Sequence, residues 1–359
     1  MRKLCSLLAW VAVAGCAESQ TRIELGAAGP WTQGYGAMNR RGIELAVEEI
    51  NAGATLGGRP LAIRFRDDEG DGRTATTIAG EFVSDPAVVA VIGHVNSGAM
   101  VAAAKVYDGR LPAVATTATS PDLTGISPWT FRVISSDSAN GMAIARFASR
   151  RGRRAAVLYE NNSYGRGLAA AFRRNFAGEI VSIDPIAADS TSFEPFVTYF
   201  KERHPDVVFV AGTERSGVAF LREARRQQLA ADFLGGDGWT GVVVDTAASD
   251  GVYVGAPFSA SDPRPEAQRF VAAFRKKFRV TPDGNAALAY DATWLLARAV
   301  ATVGADRRAV RDYLASLRER GAHAGVSGPI SFDAGGDPVG RGIVMTRVRR
   351  GALLVEAGR

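Results

Sequence analysis

The chain has 359 residues, 47% of them hydrophobic, a formal charge of +6, three histidines and two cysteines. That length suits two domains better than one. The basic residues are scattered, with no stripe of the kind nucleic acid demands, which excludes that class of partner.

The N-terminus carries a charged start, Arg2 and Lys3, then an apolar run over residues 4–12 that is too short to span a bilayer as a helix. Val13-Ala14-Gly15-Cys16 resembles the bacterial lipobox, in which the cysteine is acylated and becomes the mature N-terminus. The expectation is a signal peptide over residues 1–15, removed with Cys5, and a lipid on Cys16; an ordinary signal peptide with an incidental cysteine is the alternative. No thiol would then remain for a disulfide or a metal. Two or three acyl chains anchor stably where one does not. After Cys16 no apolar run is long enough to span. The body is therefore expected to be exported, periplasmic or on the cell surface, and membrane-anchored.

Beyond that segment, apolar runs alternate with helical periods. "RIELGAA" reads as a strand, and Ile43, Ala46, Val47 and Ile50 place a helix over "YGAMNRRGIELAVEEINA". Strand "LAIRFRDD", helix "RTATTIAGEFVSD", strand "VVAVIG", helix "SGAMVAAAKVYD" and strand "LPAVAT" follow. The rhythm restarts with strand "RAAVLYE", helix "GRGLAAAFRRNF", strand "EIVSI", helix "FEPFVTYFKER", strand "VVFVAG", helix "SGVAFLREARRQQ" and strand "DGVYVGAPF". Such alternation predicts an α/β fold of doubly wound parallel sheets, with sites at the strand C-termini. Val88–Gly93 and Val207–Gly212 are each followed, after three residues, by Ser-Gly at a helix start, an echo that suggests two similar lobes. The last third changes character: "PEAQRFVAAFRKKF", "NAALAYDATWLLARAVATV" and "RRAVRDYLASLRER" read as helices, and "GPISFD" and "GIVMTRVRRGALLVE" close with strands and a turn.

Catalytic motifs are missing: there is no Walker lysine, HExxH, CxxC or GxSxG. His94, His204 and His323 have no ligand spacing, and His94 reads as a hydrogen-bonded turn residue. Gly236 to Gly241 spell GxGxxG, but an apolar, β-like "VVVD" follows where a helix should open, so a dinucleotide site is rejected. Asp67, Glu69 and Asp71 resemble the start of a calcium loop whose twelfth position, a Glu in such loops, is Ile78. Neither a metal nor a cofactor is expected, and the chain does not read as an enzyme.

Hydroxyls remain. Thr116, Thr117, Thr119 and Ser120 follow the strand "LPAVA", and Ser120-Pro121 reads as the start of a helix with Pro at its first position. Taken alone, the threonines also read as ordinary strand-end residues. Ser97 lies at the end of the preceding strand, so in a parallel sheet hydroxyls and helix-start N–H groups converge on one spot suited to an anion. Neither turn holds a lysine or arginine, which favours a carboxylate over a phosphate. A zwitterion then needs an acid, and Asp237 in "LGGDGW" is the candidate. Tyr35 and Tyr164 each precede a glycine at a helix start and could wall a pocket; a surface turn is the other reading.

Together "GAAGPWTQGYGAMNRRGIELAVEEINA", "VIGHVNSGAMVAAA", "VATTATSPDLT", "LYENNSYGRGLAAAF", "VVFVAGTERSGVAFLREAR", "FLGGDGW" and "GPISFDAGGDPVG" resemble the periplasmic leucine/isoleucine/valine-binding protein family, the amino-acid-binding proteins of ABC importers. The resemblance implies a type I periplasmic binding protein: two α/β lobes joined by three crossovers, residues 16–137 plus 257–326 and residues 138–256 plus 327–359. It implies that the Ser97 hydroxyl and the Thr119 hydroxyl and amide take an α-carboxylate, and that the Thr117 carbonyl, Thr119 and Asp237 take an α-ammonium. Tyr35 and Tyr164 would flank the ligand, with Ala118, Thr213, Glu214 and Trp239 beside it and Trp31 adding bulk. A tyrosine frequent in the family near Thr213 and Glu214 is missing, and Asp237 is shorter than the family's usual Glu. Partners implied are an amino acid or analogue, ABC permease subunits and, through lipid, a membrane, with the chain a monomer. A ligand-sensing module on the same fold, binding an amide, urea or aromatic acid, is the alternative.

Overall fold

The computed structural model describes residues 22–356, so the expected signal segment 1–15 and the expected anchor Cys16 lie outside the described residues. The first sheet holds β1 (Ile23–Gly29), β2 (Leu61–Asp67), β3 (Val88–Gly93), β4 (Ala113–Ala115) and β5 (Thr130–Arg132), all parallel, in the order β2-β1-β3-β4-β5. Helices α1 (Gly34–Ala52), α2 (Gly72–Ser84) and α3 (Ser97–Tyr107) connect its strands. β1 is buried along its whole length because helices cover both faces of the sheet. Leu25 and Ala27 pack with Ile43 and Ile50 of α1, while Ala28 faces Phe82 of α2 and Met100 of α3. Each large side chain buried in this way contributes roughly 1.5–3 kcal/mol.

The second sheet repeats the plan. β6 (Arg154–Glu160), β7 (Glu179–Ile186), β8 (Val207–Ala211), β9 (Asp232–Gly235) and β10 (Tyr253–Ala256) run parallel in the order β7-β6-β8-β9-β10, the counterpart of the first lobe's order. Helices α4 (Asp137–Ser149), α5 (Ser163–Asn175), α6 (Glu194–Arg203) and α7 (Glu214–Arg226) and the short α8 (Thr246–Ser249) pack on it. The β3–α3 and β8–α7 turns therefore occupy equivalent places, as the repeated spacing suggested. Helices α9 (Pro265–Phe278), α10 (Gly284–Val303), α11 (Arg307–Ala315) and α12 (Leu317–Arg320), then the hairpin β11 (His323–Gly325) and β12 (Gly328–Ile330), return to the first lobe. β13 (Val344–Arg349) and β14 (Ala352–Val355) add antiparallel to the edge of the second sheet.

Three crossings follow from which core each segment joins: between Ile134 and Ile144, between Ala256 and Phe258, and between Phe332 and Ile343. Ile330 and Phe332 stay in the first lobe's core, with the Phe332 ring tilted against Phe131 at 5.0 Å between centroids, so the last crossing falls later than a boundary at residues 326 and 327. Asp337 holds the same segment to the first lobe through Arg132 Nε at 2.7 Å. The "VVVD" run is no strand; it belongs to a 3-10 segment, Asp237–Val244, that follows the short β9. The glycines thus do follow a strand, but no α-helix opens within them. Asp71, from the calcium-like run, caps α2 by accepting from Arg73 N and Thr74 N.

Candidate functional site

In an open sheet of order 2-1-3-4-5 the strands on either side of the first one lead their helices to opposite faces, leaving a crevice at their C-terminal ends. In the first lobe that crevice lies between β1 and β3. β3 is hydrophobic throughout and stops at Gly93, whose φ is +110° and whose hypothetical Cβ would stand 2.3 Å from the Ala28 carbonyl oxygen. Only glycine makes that turn without strain. His94 follows, buried, with Nδ1 2.6 Å from Asp68 Oδ2 and Nε2 3.0 Å from the Tyr107 hydroxyl. It is a structural pin, as expected. Val95 and Asn96 then reach the cleft and Ser97 opens α3.

The two hydroxyl-bearing turns do meet. Ser97 Oγ accepts hydrogen bonds from Thr119 N and Ser120 N, each 3.1 Å away. The Thr119 amide is therefore taken up by Ser97, contrary to its expected role as a free donor to a ligand, while the Ser97 hydroxyl keeps its proton to donate. The Thr119 hydroxyl is buried and without a partner. Thr117 lines the cavity and donates its hydroxyl to Val95 O at 3.1 Å. Ser120 accepts from Asp122 N and starts the short 3-10 turn Pro121–Leu123. Ser97→Ala leaves two buried N–H groups unsatisfied and is expected to destabilise the fold by about 2 kcal/mol. A lower urea midpoint with an unchanged slope checks this.

The second lobe supplies the acid. Tyr164, at the start of α5, donates to Asp237 Oδ1 at 3.1 Å and accepts from Gly238 N at 3.1 Å. Burial pushes the Asp237 carboxyl up to about 6, only partly offset by the Tyr164 bond, and no cation pairs with it. Burial also pushes the Tyr164 hydroxyl well up. Behind these stands Asp137, the first residue of α4, fully buried with both carboxylate oxygens unpartnered. Burial and the nearby Asp237 raise its pKa well above that of a free carboxylate, against the opposing pull of the Thr119 hydroxyl and Arg132. Sequence reasoning missed Asp137, because an acid at a helix start is ordinary and its burial comes from the crossing between lobes.

One cavity of about 110 Å³ lies between the lobes and is lined by Tyr35, Ser97, Thr117, Tyr164, Thr213 and Asp237 from the expected set. Asn96, Asn162 and Asn285 join them. The lobes touch around it: Asn285 Nδ2 donates to Thr240 Oγ1 at 3.1 Å. Ala118 and Thr119 are buried behind this wall. Glu214 lines a wider outer cavity that shares Tyr35, Asn96, Asn162 and Thr213 with the inner one. Trp239 does not flank the cavity. Its ring is buried in the second lobe's core against Gly217 and Gly235, whose lack of a Cβ makes the room. Trp31 packs edge-on to Phe65 and donates to Arg66 O, also outside the lining. The three asparagines sit at a turn and two helix starts, where Asn is common for local reasons, so no sequence signal singled them out.

Comparison with known proteins agrees with this architecture. A periplasmic binding protein family model matches residues 26–352. The chain is 28% identical over 327 residues to the Leu/Ile/Val-binding protein homolog 1 of Brucella abortus, covering 89% of this chain and 87% of that one. The branched-chain amino acid transporter substrate binding protein LivJ of Streptococcus pneumoniae, solved in complex with isoleucine, superposes with a TM-score of 0.86 at 27% identity, covering 93% and 98% of the two chains. An ABC transporter substrate-binding protein of Desulfitobacterium hafniense, in complex with Leu, gives 0.81 at 30% identity over 93% and 100%. No helix among the described residues is long and apolar enough to cross a membrane. The chain belongs to the periplasmic binding proteins of type I, the leucine/isoleucine/valine-binding family, whose members are non-enzymatic substrate-binding components of ABC transporters for amino acids or related ligands.

Proposed function

We propose that the chain clamps an α-amino acid between its lobes and hands it to the membrane subunits of an importer. The observation that carries this reading is the placement of Asp237, a buried acid with no cation, across one cavity from the hydroxyl-bearing turns at Ser97 and Thr117. The first lobe offers neutral donors to the α-carboxylate: the Ser97 hydroxyl, and the Thr119 hydroxyl after a small adjustment of the turn. The second lobe offers Asp237 to the α-ammonium, with the Thr117 carbonyl opposite. Tyr35 and Tyr164 flank the ligand from the two lobes. A ligand that touches both lobes has more contacts in the closed form and shifts the population toward it by hinge motion. Relatives that bind leucine or isoleucine support an amino acid as the ligand class.

Calorimetry on the purified mature chain tests the clamp. Heat is expected with α-amino acids and none with benzoate or isovalerate, which carry a carboxylate and no ammonium. The reverse result removes Asp237 from the ammonium role. Lipidation of Cys16 is the second part of the reading, carried by the lipobox-like Val13-Ala14-Gly15-Cys16. Cys16→Ser is expected to move the protein from the membrane to the soluble fraction, and unchanged fractionation refutes the anchor.

A further inference from the structure

The ligand's α-amino and α-carboxyl groups leave its side chain to be read by the rest of the cavity, where aliphatic side chains are scarce. Val95 is the one aliphatic side chain among the described residues that line the inner space; the others are tyrosines, hydroxyls, amides, glycines and Asp237. A site for a branched hydrocarbon would be walled mainly by apolar side chains. Asn96 donates from Nδ2 to the Tyr35 hydroxyl at 2.9 Å, which leaves its Oδ1 buried with no partner. Buried acceptors are almost always satisfied, so one left open in a binding cavity points to a missing donor.

Glu214 continues the same face outward. It starts α7, two residues before Ser216, the counterpart of Ser97 in the first lobe. Its carboxylate reaches across to the first lobe: a Cβ on Gly34 would stand 2.3 Å from Oε1. It pairs with no cation in this arrangement, and burial and the nearby Asp283 push its pKa up. Asn96 lines both cavities and Glu214 the outer one, so a carbonyl without a partner and a carboxylate without a cation stand on adjoining space.

We propose that the ligand's side chain ends in an N–H donor, read by Asn96 and beyond it by Glu214, and not in a branched hydrocarbon; this rests on the α-amino-acid clamp proposed above. Burying an isopropyl group against Asn96 Oδ1 would strand the acceptor without water. Sites built to hydrogen-bond a ligand group reject the analogue that lacks it far more strongly than apolar pockets reject an extra methylene. A carboxamide and an alkylammonium share the donor.

Calorimetry on the mature chain compares near-isosteric pairs: asparagine with leucine, glutamine with methionine, and lysine with norleucine. At least one donor-bearing member is expected to bind tenfold or more tightly than any of leucine, isoleucine, valine, methionine and norleucine. Asn96→Leu is expected to shrink that preference at least tenfold while the folded far-ultraviolet spectrum is kept. Glu214→Gln is expected to weaken lysine alone, which separates the cationic arm from the amide arm. If an aliphatic amino acid binds as tightly as every donor-bearing one, and Asp237→Ala abolishes that binding, the polar-end inference is wrong and the clamp stands. If no α-amino acid binds, or benzoate binds in their place, the clamp fails and this inference fails with it.

Discussion

Asp237→Ala is expected to weaken amino-acid binding by 2–5 kcal/mol, about 30- to 5,000-fold in Kd. The loss is large because closure dries the cleft. In the protein as it stands the ammonium meets a buried carboxylate fixed by Tyr164 at 3.1 Å. In the variant the ammonium would be enclosed with only neutral acceptors, and leaving one member of a buried charge pair alone costs far more than the pair itself contributes. The deficit appears as incomplete closure, so the ligand-induced fall in radius of gyration should shrink with the affinity. Tyr164→Phe is the milder companion: it removes one hydrogen bond to Asp237 and frees Gly238 N, and about tenfold is expected. Titration calorimetry with scattering on the same samples checks both variants. A Kd for Asp237→Ala within threefold of the parent refutes the ammonium role.

The two-lobe plan was legible in the sequence because β3 and β8 are short unbroken apolar runs, each followed within a few residues by a polar helix start. That pattern carries its own punctuation. The weaker strands were not legible for a physical reason. β5 is the three residues Thr130–Arg132 and β9 the four residues Asp232–Gly235, too short for any period to register, and each exists because a neighbouring parallel strand pairs with it. The run at Val242–Val244 misled in the opposite sense: β-branched residues favour a strand locally, but Val242 is needed in the second lobe's core at the end of a 3-10 turn, and packing overrides propensity.

The site divides along the same line. Ser97, Thr117 and Asp237 sit on turns right after strands, so chain-order reasoning could bring them to one crevice. Trp239 lies two residues after Asp237, and sequence proximity suggested that it shared the cleft. In a 3-10 turn successive side chains point about a third of a turn apart, and the indole turns into the core toward Gly217 and Gly235. Asp137 comes to the site from the first crossing between lobes, and Asn285 from the start of α10, which packs against Pro257 in the second. Nothing local marks them, since their partners, Asp237 and Thr240, lie 100 and 45 residues away in the chain.

Lowering the pH from 7.5 to 5 is expected to weaken amino-acid binding about tenfold, with the bend near pH 6. The ammonium needs the Asp237 carboxylate, whose proton leaves at about 6 in the ligand-free cleft. The Tyr164 hydroxyl, raised further by burial, stays protonated throughout, so the Asp237 proton is the one released on binding below pH 6. The same rise governs stability with a fixed sign. The folded protein binds the Asp237 proton more tightly than the unfolded chain, whose value is 3.8. The contribution of Asp237 to folding stability is therefore highest below pH 4, falls as pH rises to 6, and is level above that. A rise from 3.8 to about 6 corresponds to a cost of about 3 kcal/mol at neutral pH. Asp237→Asn removes the charge and keeps the size, so it should melt higher than the parent at pH 7.5 and level with it at pH 4, while binding amino acids poorly at both. Calorimetric melting of the ligand-free proteins at the two pH values decides the matter. A variant that melts lower than the parent at pH 7.5 would show that Asp237 is stabilised in the closed cleft by a partner of its own, and the acid would then not be held in reserve for the ligand.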